Sequence, residues 1–268
     1  YIDNPPGYAN TPFYGISDID TDKRVLGLVS NGAKEFLNQV DTDKPWACFV
    51  SVIEPHDPFI STKKYYDMYE DIELNLPKSF NDELLDKPNI YRRGKKVFEN
   101  MTKQDHLECI RNYYAMITEI DYEYGKIIDL LEAKGELENT IIIFSSDHGD
   151  YLGDHWMGDK DFYHEMAVKV PLIIYDPRKV SDKSRGTVKN DLVEMIDLAP
   201  TILNFFGCPP KPHIIEGRDL TPILTGTAGF SRNYIISEHD YHWSEMAKEL
   251  DQSQDLALSL IHISEPTR

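Results

Sequence analysis

A chain of 268 residues with 41% hydrophobic and 11% aromatic content holds enough apolar matter for a substantial core, as one large α/β domain or two ordinary ones, which excludes a disordered polymer. Its formal net charge of −18 provides no concentrated basic surface to grip a phosphate backbone, so nucleic acid is excluded as the main partner and the acidity reads as solubility. Cys48, Cys109 and Cys208 are too scattered for a zinc knuckle or a disulfide framework, and no apolar run approaches the roughly 18 residues of a membrane span.

Residues 1–22, rich in Pro, Gly, Asn and Asp, predict an irregular lead-in. Apolar positions at helical spacing (Val25, Leu28, Val29, Ala33, Phe36, Leu37) predict an amphipathic helix over Lys23–Val40. The short apolar run Trp46–Ile53, bounded by Pro45 and Pro55, fits a buried strand of a parallel sheet. From Pro55 to Met101 the chain is dense in Pro, Asn, Asp and Tyr, and reads as a long excursion outside the sheet. Thr102 with Asp105 resembles a capping box, and Leu107, Ile110, Tyr114, Ile117, Tyr124, Ile127, Ile128 and Leu131 keep helical spacing until Gly135. Asp121 falls on that stripe, within hydrogen-bonding range of a neighbouring loop, and has no catalytic role.

Further buried strands are predicted at Thr140–Phe144 and Val170–Tyr175, a helix at Asp191–Phe206 closed by Gly207, and a short strand at Tyr234–Ser237. Helices alternating with apolar strands predict a doubly wound, mostly parallel α/β sheet flanked by helices. No linker divides the chain cleanly.

The run Ile141–His155, IIIFSSDHGDYLGDH, delivers Asp147 and His148 straight off the end of a strand, where open α/β sheets collect their ligands. A hard carboxylate oxygen and a neutral imidazole nitrogen suit a divalent cation, and Gly149 would let the backbone turn sharply. An isolated D-H-G fits a polar turn equally well. The loop that follows tips the balance, because Asp154, His155 and Lys160 join it in one Gly-punctuated stretch that is costly to hold together without an ion or anion.

SSDHGDYLGDH, then GDK, then VPLIIYDP resembles the sulfatase branch of the alkaline phosphatase superfamily, especially its arylsulfatase, iduronate-type sulfatase and phosphonate monoester hydrolase members. DKPWACFVSVIEPHDPF is similar to the strand that leads to a Pro-His-x-Pro turn in that family, NYYAMITEIDYEYGKIIDLLEAKGELENTIIIF to its long helix before the metal strand, and EMIDLAPTIL to a following helix. The resemblance covers roughly Lys23 to His239. It implies an alkaline phosphatase-like fold, incomplete at the N-terminus and in the C-terminal subdomain. It also implies that residues 1–239 are the central and C-terminal part of a catalytic domain and that 240–268 begin a C-terminal region.

Residue by residue, the resemblance implies that Asp147 and His148 ligate one divalent ion, Ca²⁺ or Mn²⁺, the His replacing the Asn of many sulfatases as in the phosphonate hydrolase and iduronate-type members. Lys160 matches the lysine that meets the sulfuryl or phosphoryl oxygens, and His56 the histidine beside the leaving group. His155 is assigned to the pocket wall as a substrate-binding residue. A group transfer of this kind needs cationic clamps and a proton or positive charge at the departing oxygen. The implied reaction is sulfate monoester hydrolysis, on carbohydrate or aryl esters. The alternatives are phosphonate monoester or phosphodiester hydrolysis and a catalytically inactive fragment.

The family nucleophile, a Cys or Ser in C/S-x-P-x-R converted to formylglycine by a formylglycine-generating enzyme, is expected N-terminal to the PHDP turn together with an acidic ligand pair. Nothing before Trp46 fits either. Cys208–Pro212 has Pro where Arg is required. Ser264–Arg268 satisfies the pattern at the wrong end of the chain, in a tail (about residues 257–268) that resembles a translated sequencing adapter. Tyr163, His164 and Glu165 read as loop packing, and His239 and His242 as a polar loop. Tyr65, Tyr66 and Tyr69 suit either stacking on a sugar or packing. A periplasmic or secreted location is favoured over a cytoplasmic one.

Overall fold

The computed structural model describes residues 12–208, 210–211 and 213–237. Strand β1 (Tyr14–Ser17) pairs in parallel with β2 (Phe59–Thr62), and the amphipathic helix α1 (Val25–Gln39) lies between them in sequence. Short helices α2 (Lys63–Tyr66) and α3 (Asn89–Val97) precede the long helix α4 (Lys103–Ala133). Beyond it, β3 (Ile142–Ser145) pairs antiparallel with β4 (Leu172–Tyr175), with α5 (Glu165–Val168) in the intervening loop. Helices α6 (Leu198–Phe205) and α7 (Thr221–Thr225) follow.

Helix α4 organises the molecule. Its start is fixed by a reciprocal box in which Thr102 Oγ1 accepts from the Asp105 N–H and the Asp105 carboxylate accepts from the Thr102 N–H. Gly135, at φ 72°, ends it in the left-handed conformation that a side chain would resist. Its buried face is Cys109, Ile110, Ala115, Met116, Ile120 and Leu131, interleaved with His106, Asn112, Glu119 and Glu123. The buried polar groups bind other elements: Ser61 Oγ donates to Asn112 Oδ1 at 2.7 Å, and Arg24 and Thr21 donate to Glu119. Around Met116 and Cys109 a core gathers from Phe13, Phe59, Leu84, Phe98, Tyr151 and Phe162.

Several expectations change. The lead-in contains β1, and the excursion after Pro55 returns at once to the sheet as β2 and later adds α3. Trp46–Ile53 has no regular secondary structure and joins no ladder among the described residues, and Phe49 is 94% exposed. A strand exists only through its pairing, and that segment finds no partner here. β3 and β4 are half-buried, with Ile173 exposed, and they run antiparallel.

The predicted stripe of α4 is partly displaced: Tyr114 and Ile117 face outward and Asp121 is exposed, while Glu119 and Glu123 are the buried acids. Helix α6 begins seven residues later than predicted because Glu194 and Asp197 box the chain into a 3-10 turn at Met195–Asp197. Tyr234–Ser237 forms no strand, and the Ile236 N–H donates instead to Glu194 Oε1. His239, His242 and the tail from 257 lie outside the described residues. Among the described residues, no helix is long and apolar enough to cross a membrane.

Candidate active site

Asp147 and His148 leave β3 through Ser146, whose hydroxyl donates to the His148 carbonyl at 3.0 Å. The His148 N–H donates to Asp147 Oδ1 at 2.9 Å, which turns the carboxylate toward its neighbour's ring. His148 Nδ1 lies 2.8 Å from the Gly149 carbonyl. A carbonyl only accepts, so Nδ1 carries a proton and, in the neutral ring, Nε2 is the nitrogen left to ligate. Nε2 lies 3.6 Å from Asp147 Oδ2, so the two potential ligand atoms face one point. This donor set fits a divalent cation: a carboxylate oxygen and an imidazole nitrogen, the ring held through its other nitrogen. Burial pushes the Asp147 carboxyl up, but the His148 N–H, the His148 ring and the Ser146 hydroxyl outweigh it and leave it below the usual range.

Gly149 serves differently from the sharp turn expected of it. A Cβ there would lie 1.9 Å from the Met166 carbonyl oxygen, so glycine is required by close packing of the motif against the start of α5, where the Gly149 N–H donates to the Ala167 carbonyl at 2.7 Å.

The loop between Gly149 and α5 is strained. Leu152, His155, Trp156, Asp159 and Asp161 all have positive φ. Tyr151, fully buried, anchors it through an N–H to the Asp159 carbonyl, and Met157 and Phe162 pack into the core. The strain delivers Lys160 back to the sheet edge, where its Nζ lies 2.6 Å from His56 Nε2, 104 residues away in sequence. His56 Nδ1 lies 2.7 Å from the Asp57 carbonyl, so it too donates there, and Nε2 accepts from the Lys160 ammonium. The His56 ring stands edge-on to His148, centroids 6.0 Å apart. Four predicted residues thus meet at one place: Asp147, His148, Lys160 and His56.

His155 goes elsewhere. It is buried on the inner side of the loop, Nδ1 2.9 Å from Asp82 Oδ2 and its ring stacked 4.2 Å from His164, whose Nδ1 meets the Tyr151 hydroxyl. Tyr65 is buried, and the Tyr66 and Tyr69 hydroxyls bond Glu108 and Thr118 on α4, so all three pack. Three further acids surround the Lys160 and His56 pair: Asp57, Asp150 and Asp159. Asp150 is pushed up to about 8 by burial, with Asp159 and Asp57 adding to the rise. The signal for two of them was adjacency, since Asp57 follows His56 and Asp159 precedes Lys160.

The sequence model of the Sulfatase family matches residues 16–208. The chain belongs to the sulfatase family. It is 33% identical over 216 residues to an arylsulfatase of Clostridium perfringens, covering 80% of this chain and 44% of that protein. It is 28% identical over 189 residues to an N-acetylglucosamine-6-O-sulfatase of Bacteroides thetaiotaomicron, covering 70% and 33% respectively. The chain therefore spans less than half the length of these relatives. The phosphonate monoester hydrolase of Agrobacterium radiobacter superposes with a TM-score of 0.75 at 25% identity, over 93% of this chain and 53% of that one. An enzyme solved with its substrate D-glucosamine-2-N,6-O-disulfate superposes with a TM-score of 0.67 at 21% identity, over 81% and 56%. These neighbours establish the alkaline phosphatase-like α/β fold even though the described strands form only two short pairs.

Proposed function

We propose that these residues form the metal and leaving-group side of a sulfate monoester hydrolase, acting on sulfated carbohydrates. The observation that carries the reading is the convergence of Lys160 on His56 at 2.6 Å, beside the His148 and Asp147 acceptor pair. Asp147 and His148 would hold one Ca²⁺ or Mn²⁺ ion, which supplies Lewis-acid polarisation of the sulfuryl oxygens, while a formylglycine from sequence outside these residues, made by its generating enzyme, supplies the accepting hydroxyl.

Lys160 and His56 serve the departing oxygen. When the ester S–O bond breaks, its electron pair goes to that oxygen, which takes a proton from the Lys160 ammonium held against His56. Until that proton moves, the pair's single positive charge lies against the oxygens on which transition-state charge accumulates. The carbohydrate assignment draws on relatives named for N-acetylglucosamine sulfate and on the neighbour bound to a sulfated glucosamine.

Phosphonate monoester hydrolysis is the second reading, favoured by the TM-score of 0.75 to an enzyme of that activity. Competition between an aryl sulfate and an aryl phosphonate monoester, using the protein that carries this chain, decides between them. Preference for the sulfate by about tenfold or more (~1.4 kcal/mol in transition-state binding) supports the proposal, and the reverse preference overturns it.

A further inference from the structure

The Lys160 and His56 pair does not stand alone. Asp159 Oδ1 is buried and lies 3.2 Å from Lys160 Nζ, in ion-pair range without hydrogen-bond geometry. On the other side, Asp57 Oδ1 lies 3.0 Å from His56 Nδ1. The Asp57 side chain is 2% exposed, and neither of its oxygens has a hydrogen-bond partner. One ligand-type atom from each of His56, Asp57 and Asp159 falls within 4.8 Å of the other two.

Two carboxylates this close repel, and burying one without a hydrogen bond is costly. A fold tolerates that arrangement where a cation is kept beside the acids, and the Lys160 ammonium, 3.2 Å from Asp159 Oδ1, supplies one. Asp57 faces His56 Nδ1, His56 Nε2 faces Lys160 Nζ, and Lys160 Nζ faces Asp159. Each acid adjoins in sequence the base it faces, so one short turn sets both members of each half.

We propose that Asp57 and Asp159 are positioning residues: together they clamp Lys160 Nζ against His56 Nε2, so that the ammonium presents a remaining N–H to the departing oxygen. The inference rests on the function proposed above for that pair. Asp159 restrains the ammonium, which would otherwise turn to solvent through its 29% exposed side chain. Asp57 restrains the Nδ1 edge of the ring, so that Nε2 keeps facing the lysine.

The test has two arms. In the first, Lys160 acetylation by an activated ester is followed by mass spectrometry in the 268-residue chain, with the exposed Lys169 as internal reference. Asp159→Asn should raise Lys160 labelling relative to Lys169 by about threefold or more as the amine leaves its clamp. Asp57→Asn should do the same, and Asp57→Glu should restore part of the protection. Because Asp159 is 27% exposed, its variant decides the matter even where the buried Asp57→Asn chain does not fold. Unchanged labelling in Asp159→Asn overturns the clamp.

In the second arm, the active protein carrying each variant is assayed on an alkyl sulfate and on 4-nitrophenyl sulfate. A proton at the departing oxygen matters for a poor leaving group and little for a good one, so kcat should fall about 10- to 100-fold on the alkyl ester and less than about threefold on the aryl ester. Equal losses on both esters, or loss of bound divalent metal in either variant, overturn the positioning role. A wild-type protein inert toward every sulfate overturns the proposed function, while the labelling arm still reads the clamp directly.

Discussion

Glu119 is the clearest place to break the molecule without touching the site. It is fully buried on α4, accepts from Arg24 Nη1 at 3.1 and 3.3 Å, and accepts from Thr21 Oγ1 at 2.5 Å. Arg24 also donates to the Ile60 carbonyl in β2 and lies 3.9 Å from Glu54, two residues before His56. The pair therefore ties α4 to the turn that carries His56.

Removing one partner of a buried ion pair costs about 3–5 kcal/mol, because the other charge stays in a medium that solvates it poorly. Here the residual contacts of Arg24 to Ile60 and Glu54 place Glu119→Ala at the low end, about 3 kcal/mol. For a domain of this size each kcal/mol shifts Tm by about 2–4 °C, so the variant should melt roughly 6–12 °C lower. Differential scanning calorimetry on wild type and variant reads this directly. A double variant, Arg24→Met with Glu119→Leu, should recover most of the loss, since replacing both partners leaves no stranded charge. A Tm within about 2 °C of wild type for Glu119→Ala alone would refute the claim that this pair holds the turn.

Acid should destabilise the fold through His106, which is 2% exposed and pushed down to about 4 by burial. Its folded value lies below the unfolded one, so the unfolded chain binds the extra proton between about pH 6.5 and 4, and stability falls by about 3 kcal/mol as pH drops through that window. His106→Phe should flatten that part of a Tm-against-pH curve; an unchanged slope would rule His106 out as its source. Gly149→Ala drives a Cβ into the Met166 carbonyl, so it should weaken Mn²⁺ binding measured by calorimetry at least tenfold, about 1.4 kcal/mol, by displacing Asp147 and His148. Binding within about twofold of wild type would show that the motif tolerates the shift.

The site was legible where chemistry is written into local pattern, and the fold was legible where periodicity is strong. The capping box at Thr102 and the closing Gly135 bounded α4 almost to the residue, because both signals are local hydrogen-bond geometry. DHG and GDK marked Asp147, His148 and Lys160, but nothing local says that Lys160 finds His56 across 104 residues. That meeting depends on the positive-φ residues scattered between Leu152 and Asp161, which no propensity scale anticipates for Leu or Trp.

Strand expectations failed where pairing decides. Trp46–Ile53 has the composition of a buried strand yet forms none and leaves Phe49 exposed, while YGIS, with a glycine and a serine, forms β1 because β2 runs alongside it. His155 shares its loop with Lys160 yet turns inward to Asp82.

The measurement that bears most directly on the proposed function compares the wild-type protein carrying this chain with its Asp147→Ala variant, for bound divalent metal by elemental analysis and for aryl sulfate turnover. Bound metal and turnover falling together, with turnover down about 100-fold or more (~2.7 kcal/mol in transition-state stabilisation), is the predicted result. Normal metal content with normal turnover in Asp147→Ala would contradict it.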